Sequence, residues 1–291
     1  MFISVLELFK LGIGPSSSHT VGPMIAAAQF IQTLQSKYPE LPPQRTRLRC
    51  ILTGSLAHTG LGHSTDNALL LGLHGYTPQE IAVIDIAELI NQLWHKQYIS
   101  APYTAQDILI HFDPTKDIIF DRDQTLVEHP NGMIFEIHNE HKQVIFGETY
   151  FSIGGGFVNT FAEMKQLIAP IKMLNSSNCE FPFEDALSML TMAQENKLNI
   201  AQMKYRNEQQ FHTSQSLESG LDSIWQGMKN CVESGLKHEG ILPGGLKVNR
   251  RAKNLHQQLV DNPDDAHLHE WLCAYAMAVN EENAAGHAVV T

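Results

Sequence analysis

Apolar residues recur at helical spacing from Val21 to Ser36, and the run stops before Pro39. The same period predicts a helix over Thr65 to Leu73, with Ser64 or Thr65 as N-cap and Asp66 in the first turn, and another over Pro78 to Trp94, capped by Thr77. Leu48 to Thr53 is a candidate strand. From residue 107 the period falls to two, and Asp107 to Phe112, Asp117 to Phe120, Gly132 to His138 and Lys142 to Ile153 read as strands. His138 to His141 is a hairpin turn between the last two, and Pro39 to Pro43 is a turn or short linker. From Phe183 onward the pattern is helical: Phe183 to Glu195, Asn196 to Ser214, Ser219 to Gly235 and His267 to Asn283, with a turn-rich loop at Gly240 to Lys247. The polar stretch Lys172 to Pro182 predicts the linker between an α+β domain, residues 1–170, and a mostly α-helical domain, residues 183–291.

The N-terminal MFISVLELFKLGIG lacks a basic leader, and Glu7 and Lys10 interrupt its apolar run, so it reads as an amphipathic helix and not as a signal peptide. No apolar run approaches the roughly 20 residues of a membrane span. A cytoplasmic location is the default expectation. The 291 residues are 43% hydrophobic and 18% charged, enough to bury a normal core. A net charge of −11 argues against a nucleic-acid partner, and 20 basic against 31 acidic residues against docking on anionic lipid. Cys50, Cys179, Cys231 and Cys273 are widely separated, with no C-x-x-C pair. They are expected to be buried structural thiols, not a disulfide framework or a local metal site.

The candidate chemistry clusters early. Gly14-Pro15-Ser16-Ser17-Ser18-His19-Thr20 sets a tight turn, four hydroxyls and an imidazole directly before a helix. Amides at a helix start, ringed by hydroxyls, suit a small carboxylate, and the imidazole can move a proton near neutral pH. One Ser or Thr would suffice for capping alone. Gly60-Leu61-Gly62-His63-Ser64-Thr65-Asp66 repeats the arrangement. In His129-Pro130-Asn131-Gly132 the turn signal explains Asn131 and Gly132 and leaves His129 unexplained. Gly154, Gly155 and Gly156 would let backbone approach a ligand or another segment. Asn280-Glu281-Glu282-Asn283 is either an exposed helical face or an inward set of amides and carboxylates. Around Lys247, Arg250 and Arg251, the basic residues either pair with acids or bind a carboxylate, and an exposed loop is equally compatible with the sequence.

Six segments, GPSSSHTVGPM, GHSTDNALLLGLHG, HPNGM, SIGGGFV, GILPGGLKVNRRA and AVNEENAAG, occur in the order of one family. Over nearly the whole chain the sequence resembles the iron–sulfur-dependent bacterial L-serine dehydratases. The resemblance implies an α+β domain followed by a helical catalytic domain, and conversion of L-serine to pyruvate and ammonia. It also implies a [4Fe–4S] cluster acting as Lewis acid on the substrate hydroxyl. His63 and His129 are then the base candidates. Ser16, Ser17, Ser18, His19 and Thr20 would hold substrate, together with Thr65, Asp66, Asn131, Gly154, Gly155, Asn280 and Glu281, and Lys247 would be a carboxylate partner. A homodimer is expected by analogy only.

Three departures matter. Ser64 stands where the family's GHGTD has glycine, and Gly286-His287-Ala288 replaces the GGR of its AAGGR. Family members also continue past residue 291 into the region that supplies the cluster cysteines, and none of the four cysteines here stands at a ligand position. The chain is therefore expected to be the front part of the enzyme, with no cluster ligands of its own. The competing expectation is a non-catalytic module that binds serine or a related anion, or a subunit of a split enzyme. A Ser/His hydrolase is disfavoured because no G-x-S-x-G elbow is present.

Overall fold

The structure is a computed structural model that describes residues 2–37, 46–81, 86–100, 109–166, 178–243, 245–263 and 267–290. Its first half runs α1 (Val5–Leu8), β1 (Leu11–Ile13), a wide π-type turn (Ser17–Val21) and α2 (Gly22–Lys37). β2 (Arg47–Thr53), α3 (Gly54–Thr59), a tight 3-10 turn (Gly60–His63) and α4 (Thr65–Leu73) follow. Next come α5 (Pro78–Ile81), α6 (Ile86–Trp94), β3 (Tyr98–Ser100), β4 (Leu109–His111), α7 (Pro114–Asp117) and β5 (Ile118–Asp121). β6 (Asn131–His138), β7 (Val144–Gly154), β8 (Phe157–Thr160) and α8 (Phe161–Gln166) close this half. The remainder is α9 (Ala186–Asn196), α10 (Ile200–Glu208), α11 (Ser214–Gly235), α12 (Ala252–Asp261), α13 (Leu268–Ala284) and β9 (Ala288–Val290). An α+β region is thus followed by a helical one, as expected. The Pro39–Pro43 turn and residues 82–85, 107–108 and 172–177 of the predicted elements lie outside the described residues.

The main sheet has the order β3-β4-β2-β6-β7-β8, and β5 lies parallel to the later part of β2. β2 pairs antiparallel with β6 from Arg47↔His138 to Thr53↔Gly132, and β6 with β7. Its alternation puts Leu48, Cys50 and Leu52 into the core with Met133, Phe135 and Ile137 of β6. α2 and α4 complete that core, and Phe30 stacks on Phe135 with ring centroids 5.0 Å apart. Burying such a ring fully contributes about 2–3 kcal/mol.

Several sequence expectations change. The N-terminal helix is only Val5–Leu8, after which Leu11–Ile13 turns into a strand paired antiparallel with β9 at the other end of the chain. Its start is held by Glu208 of α10, which accepts from the Val5 amide (2.6 Å) and the Ser4 hydroxyl (2.8 Å). The helix expected over Asn196 to Ser214 contracts to Ile200–Glu208. Lys197 ends α9 with φ 54°, and an Asn199–Gln202 capping box starts α10. α12 was not predicted, and α11 begins at Ser214, capped by Thr213, earlier than the Ser219 start. Near the expected linker, Phe181 is buried against α10, exchanging two 2.8 Å hydrogen bonds with the Asn207 side chain.

Candidate active site

β1 delivers the chain to Gly14-Pro15, joined by a cis peptide. The C-terminal end of α13 and the residue just before β9 reach this point. The Gly14 amide donates to the His287 carbonyl (3.0 Å), and Asn283 Nδ2 donates to the Pro15 carbonyl (3.0 Å). Ser16 then caps the wide turn, its Oγ accepting from the His19 amide at 3.1 Å. The turn runs without a break into α2, so the Ser17 and Ser18 amides come first in a long helical run and have no helical carbonyl behind them. His19 is fixed at both nitrogens: Ser18 Oγ lies 2.9 Å from Nδ1 and Ser55 Oγ 3.0 Å from Nε2. Burial, and secondarily the imidazole of His63, hold its pKa below the usual histidine value.

The two clusters that are separate in sequence are one place in the fold. Thr65 Oγ1 donates to the His19 carbonyl (2.5 Å), and Thr20 Oγ1 donates to the His63 carbonyl (2.8 Å). The His19 and His63 rings lie 4.8 Å apart. His63 Nδ1 is 2.9 Å from the Thr59 carbonyl, which can only accept, so Nδ1 carries a proton and the neutral ring keeps its lone pair on Nε2. Ser64 occupies the N-cap position of α4 but its hydroxyl caps nothing, and its φ of 53° is the left-handed conformation that glycine adopts without strain. Gly60 packs against Thr65 and Phe120, whereas Gly62 has open space beside it. Burial pushes the Asp66 carboxyl up, against the opposing effect of the Asn67 amide.

The third motif closes onto the same place through Ser55, which the sequence reading missed. The Ser55 amide donates to the Pro130 carbonyl (2.8 Å), while its hydroxyl meets His19. Asn131 Nδ2 donates to the Ser152 carbonyl (3.0 Å). His129 Nδ1 accepts from the Asn131 amide (3.1 Å), so the neutral ring has its proton on Nε2, the opposite tautomer to His63. Burial lowers the His129 pKa.

The other predicted site residues stand elsewhere. Gly154, Gly155 and Gly156 all have positive φ (98°, 57° and 69°) in the turn between β7 and β8, so backbone conformation alone calls for glycine there. Lys247 is exposed at a loop tip with φ 51°. Asn280 is exposed on α13. Glu281 is buried and accepts from the Arg251 amide (2.6 Å) and the Ala252 amide (3.3 Å), which caps the start of α12. No hydrogen bond among the described residues joins these six to His19 or His63.

A cleft of about 980 Å³ separates the α+β and helical regions. Gly14, Thr20 and Ser64 line one wall, and Ser234, His238 and Glu282 the other. It reaches the imidazole cluster only through Thr20 and Ser64, the neighbours of His19 and His63. On the far wall Glu282 is buried and receives Ser234 Oγ (2.7 Å), Arg250 Nη1 (2.6 Å), His238 Nδ1 (2.9 Å) and His287 Nδ1 (2.8 Å). Burial alone would raise its pKa. The donors, led by His287 and His238, outweigh that and hold it well below the carboxylate range. Cys50, Cys179 and Cys231 are buried, and Cys273, against expectation, is exposed. Burial pushes the Cys231 thiol up to about 11. The thiols do not converge: among the described residues, the one group able to hold a metal is His238, Glu282 and His287. The cysteines present therefore do not fit a cluster held by thiolates.

The serine dehydratase beta chain family model matches residues 4–163, and the serine dehydratase alpha chain model matches residues 195–291. An L-serine dehydratase of Streptomyces coelicolor is 40% identical over 292 residues, covering 100% of this chain and 62% of that protein. An L-serine dehydratase of Haemophilus influenzae is 37% identical over 293 residues, covering 99% of this chain and 62% of its own length. L-serine dehydratase 1 of Escherichia coli is 35% identical over 293 residues, with the same two shares. The chain thus spans 62% of the length of these curated relatives.

Proposed function

The chain belongs to the serine dehydratase family, and from that premise we propose that it binds L-serine at the His19–His63 cluster and serves its conversion to pyruvate and ammonia. The observation that carries this reading is the crossed pair of hydrogen bonds, Thr65 to His19 and Thr20 to His63, which brings two distant sequence motifs together. The Ser17 and Ser18 amides and the Ser16 and Ser18 hydroxyls offer donors for the serine carboxylate at the positive end of a helix. His63 is the better base of the two candidates, because its lone pair is on Nε2 while the corresponding nitrogen of neutral His129 carries the proton. In this assignment His63 Nε2 takes the Cα proton and hydroxide leaves Cβ. The resulting aminoacrylate tautomerises and hydrolyses to pyruvate and ammonia.

The iron–sulfur centre implied by the resemblance would bear the charge of the departing hydroxide. The thiols described here do not fit it, so departure of the hydroxyl is assigned to no residue of this chain. That same misfit favours a second reading, a module that binds L-serine without turning it over. A cytoplasmic location and a homodimer belong to the proposal by analogy. The structure adds that no helix among the described residues is long and apolar enough to cross a membrane.

Calorimetric titration of the chain with L-serine tests the binding reading. Saturable heat that disappears in Ser18→Ala and His19→Ala is expected. Equal heat in wild type and both variants, or none in wild type, would overturn it. Pyruvate measured anaerobically on the same samples separates the two readings: its formation favours turnover, and binding without it favours the module.

A further inference from the structure

We propose that His238, Glu282 and His287 form a site for one divalent transition-metal ion, of the class that includes Zn2+, opening onto the cleft between the two regions. The three side chains come from separate elements. His238 follows α11, Glu282 lies in the last turn of α13, and His287 lies just before β9. Their ligand atoms all fall within 4.8 Å of one another. Glu282 has only 1% of its side chain exposed, whereas His238 and His287 are 48% and 44% exposed and line the cleft. The two rings meet at 64° with centroids 5.3 Å apart, so they do not stack, and each Nδ1 addresses a different carboxylate oxygen.

Two imidazoles and a carboxylate are the donor set of open zinc sites, with the fourth position left to water or substrate. Metal–ligand distances of about 2.0–2.2 Å place neighbouring ligand atoms roughly 3.3–3.5 Å apart around a tetrahedral ion. The present separations of 2.9 and 2.8 Å from imidazole to carboxylate would widen slightly as an ion replaces the bridging protons. Half-exposed rings can make that movement.

A plain ion-pair network explains less. Arg250, itself 6% exposed, already neutralises Glu282, so the carboxylate has no need of two further imidazoles on opposite oxygens. Arg250 and Ser234 each donate to one of the same two carboxylate oxygens and orient the carboxylate, as outer groups do in metal sites. The positive charge of Arg250 makes the site weaker than one without it.

Chelator-stripped full chain, titrated with Co2+ and read by its visible d–d absorption, tests the assignment. Expected is one equivalent of Co2+ in a low-symmetry site, displaced by Zn2+. Changes to outer groups alone cost about 10–100-fold in metal affinity, so His238→Ala and His287→Ala should each weaken binding at least about 100-fold. His256→Ala and Cys231→Ser should leave it unchanged. Far-UV circular dichroism of each variant verifies its fold, and His287→Gly offers a second removal of that ligand. Absence of d–d absorption in wild type, survival of the signal in the His238→Ala/His287→Ala double variant, or its loss in Cys231→Ser would overturn the site.

Discussion

His74 sets the most quantitative expectation for stability. It ends α4, whose other end carries the Thr65 and Ser64 positions of the site, and only 4% of it is exposed. Its Nε2 is buried with no hydrogen-bond partner among the described residues. Burial, helped by the charge of Lys96, lowers its pKa from 6.5 to about 4. The folded state therefore resists a proton that the unfolded chain accepts. Stability contributed by the neutral ring is fully present above pH 6.5 and is lost as pH falls toward 4. A shift of this size, at about 1.4 kcal/mol per unit, costs about 2 kcal/mol by pH 5 and about 3 kcal/mol by pH 4 relative to pH 7. His74→Leu removes both the titration and the orphan nitrogen. Urea unfolding of wild type and variant at pH 7, 6, 5 and 4 isolates this residue from the other titrating groups. The variant should gain on wild type by about 3 kcal/mol across that range, most of it between pH 6.5 and 5. Parallel curves, with the difference constant from pH 7 to 4, would refute the reasoning.

Other expectations follow from single positions. Ser64→Gly relieves a left-handed residue and should stabilise by about 1 kcal/mol, read as a Tm rise of about 2–4 °C; a lowered Tm would contradict the strain. A methyl at Gly14 would drive into the backbone carbonyl of Asn283, so Gly14→Ala should destabilise by about 2–3 kcal/mol or more in chemical denaturation. Glu281→Ala uncovers the first amides of α12 and should cost about 1–2 kcal/mol, visible as faster amide hydrogen exchange at Ala252. Asn207→Leu strands the Phe181 amide and carbonyl and should cost about 1–3 kcal/mol by thermal melting.

What the sequence revealed depended on how local the cause was. α4 spans the predicted Thr65–Leu73, and α2, β6 and β7 fall within a residue or two of their predicted ends, because their apolar periods are set by one face packing into one core. β1 and β9 are three residues each and exist only because the two ends of the chain meet, which no local pattern encodes. The same holds within the site. The Gly14 to Thr20 and Gly60 to Asp66 motifs were visible through their unusual hydroxyls and imidazoles, but their merger depends on two threonine-to-carbonyl bonds across 43 and 46 residues. Ser55 is a lone serine after a strand, and nothing in its neighbours announces that it joins His19 to Pro130. No local pattern around His238 or His287 shows that tertiary packing sets them against the two oxygens of Glu282.

The proposal on which the rest depends is that His19 and His63 together form the L-serine site. Histidine-labelled protein, followed by ring 13C and 15N chemical shifts during L-serine titration, addresses it directly, with resonances assigned by His19→Gln and His63→Gln. Both rings are expected to shift together with one saturation midpoint, the buried His74 serving as an unmoved reference. Resonances of His19 and His63 that stay fixed at saturating L-serine, or that titrate with different midpoints, would contradict it.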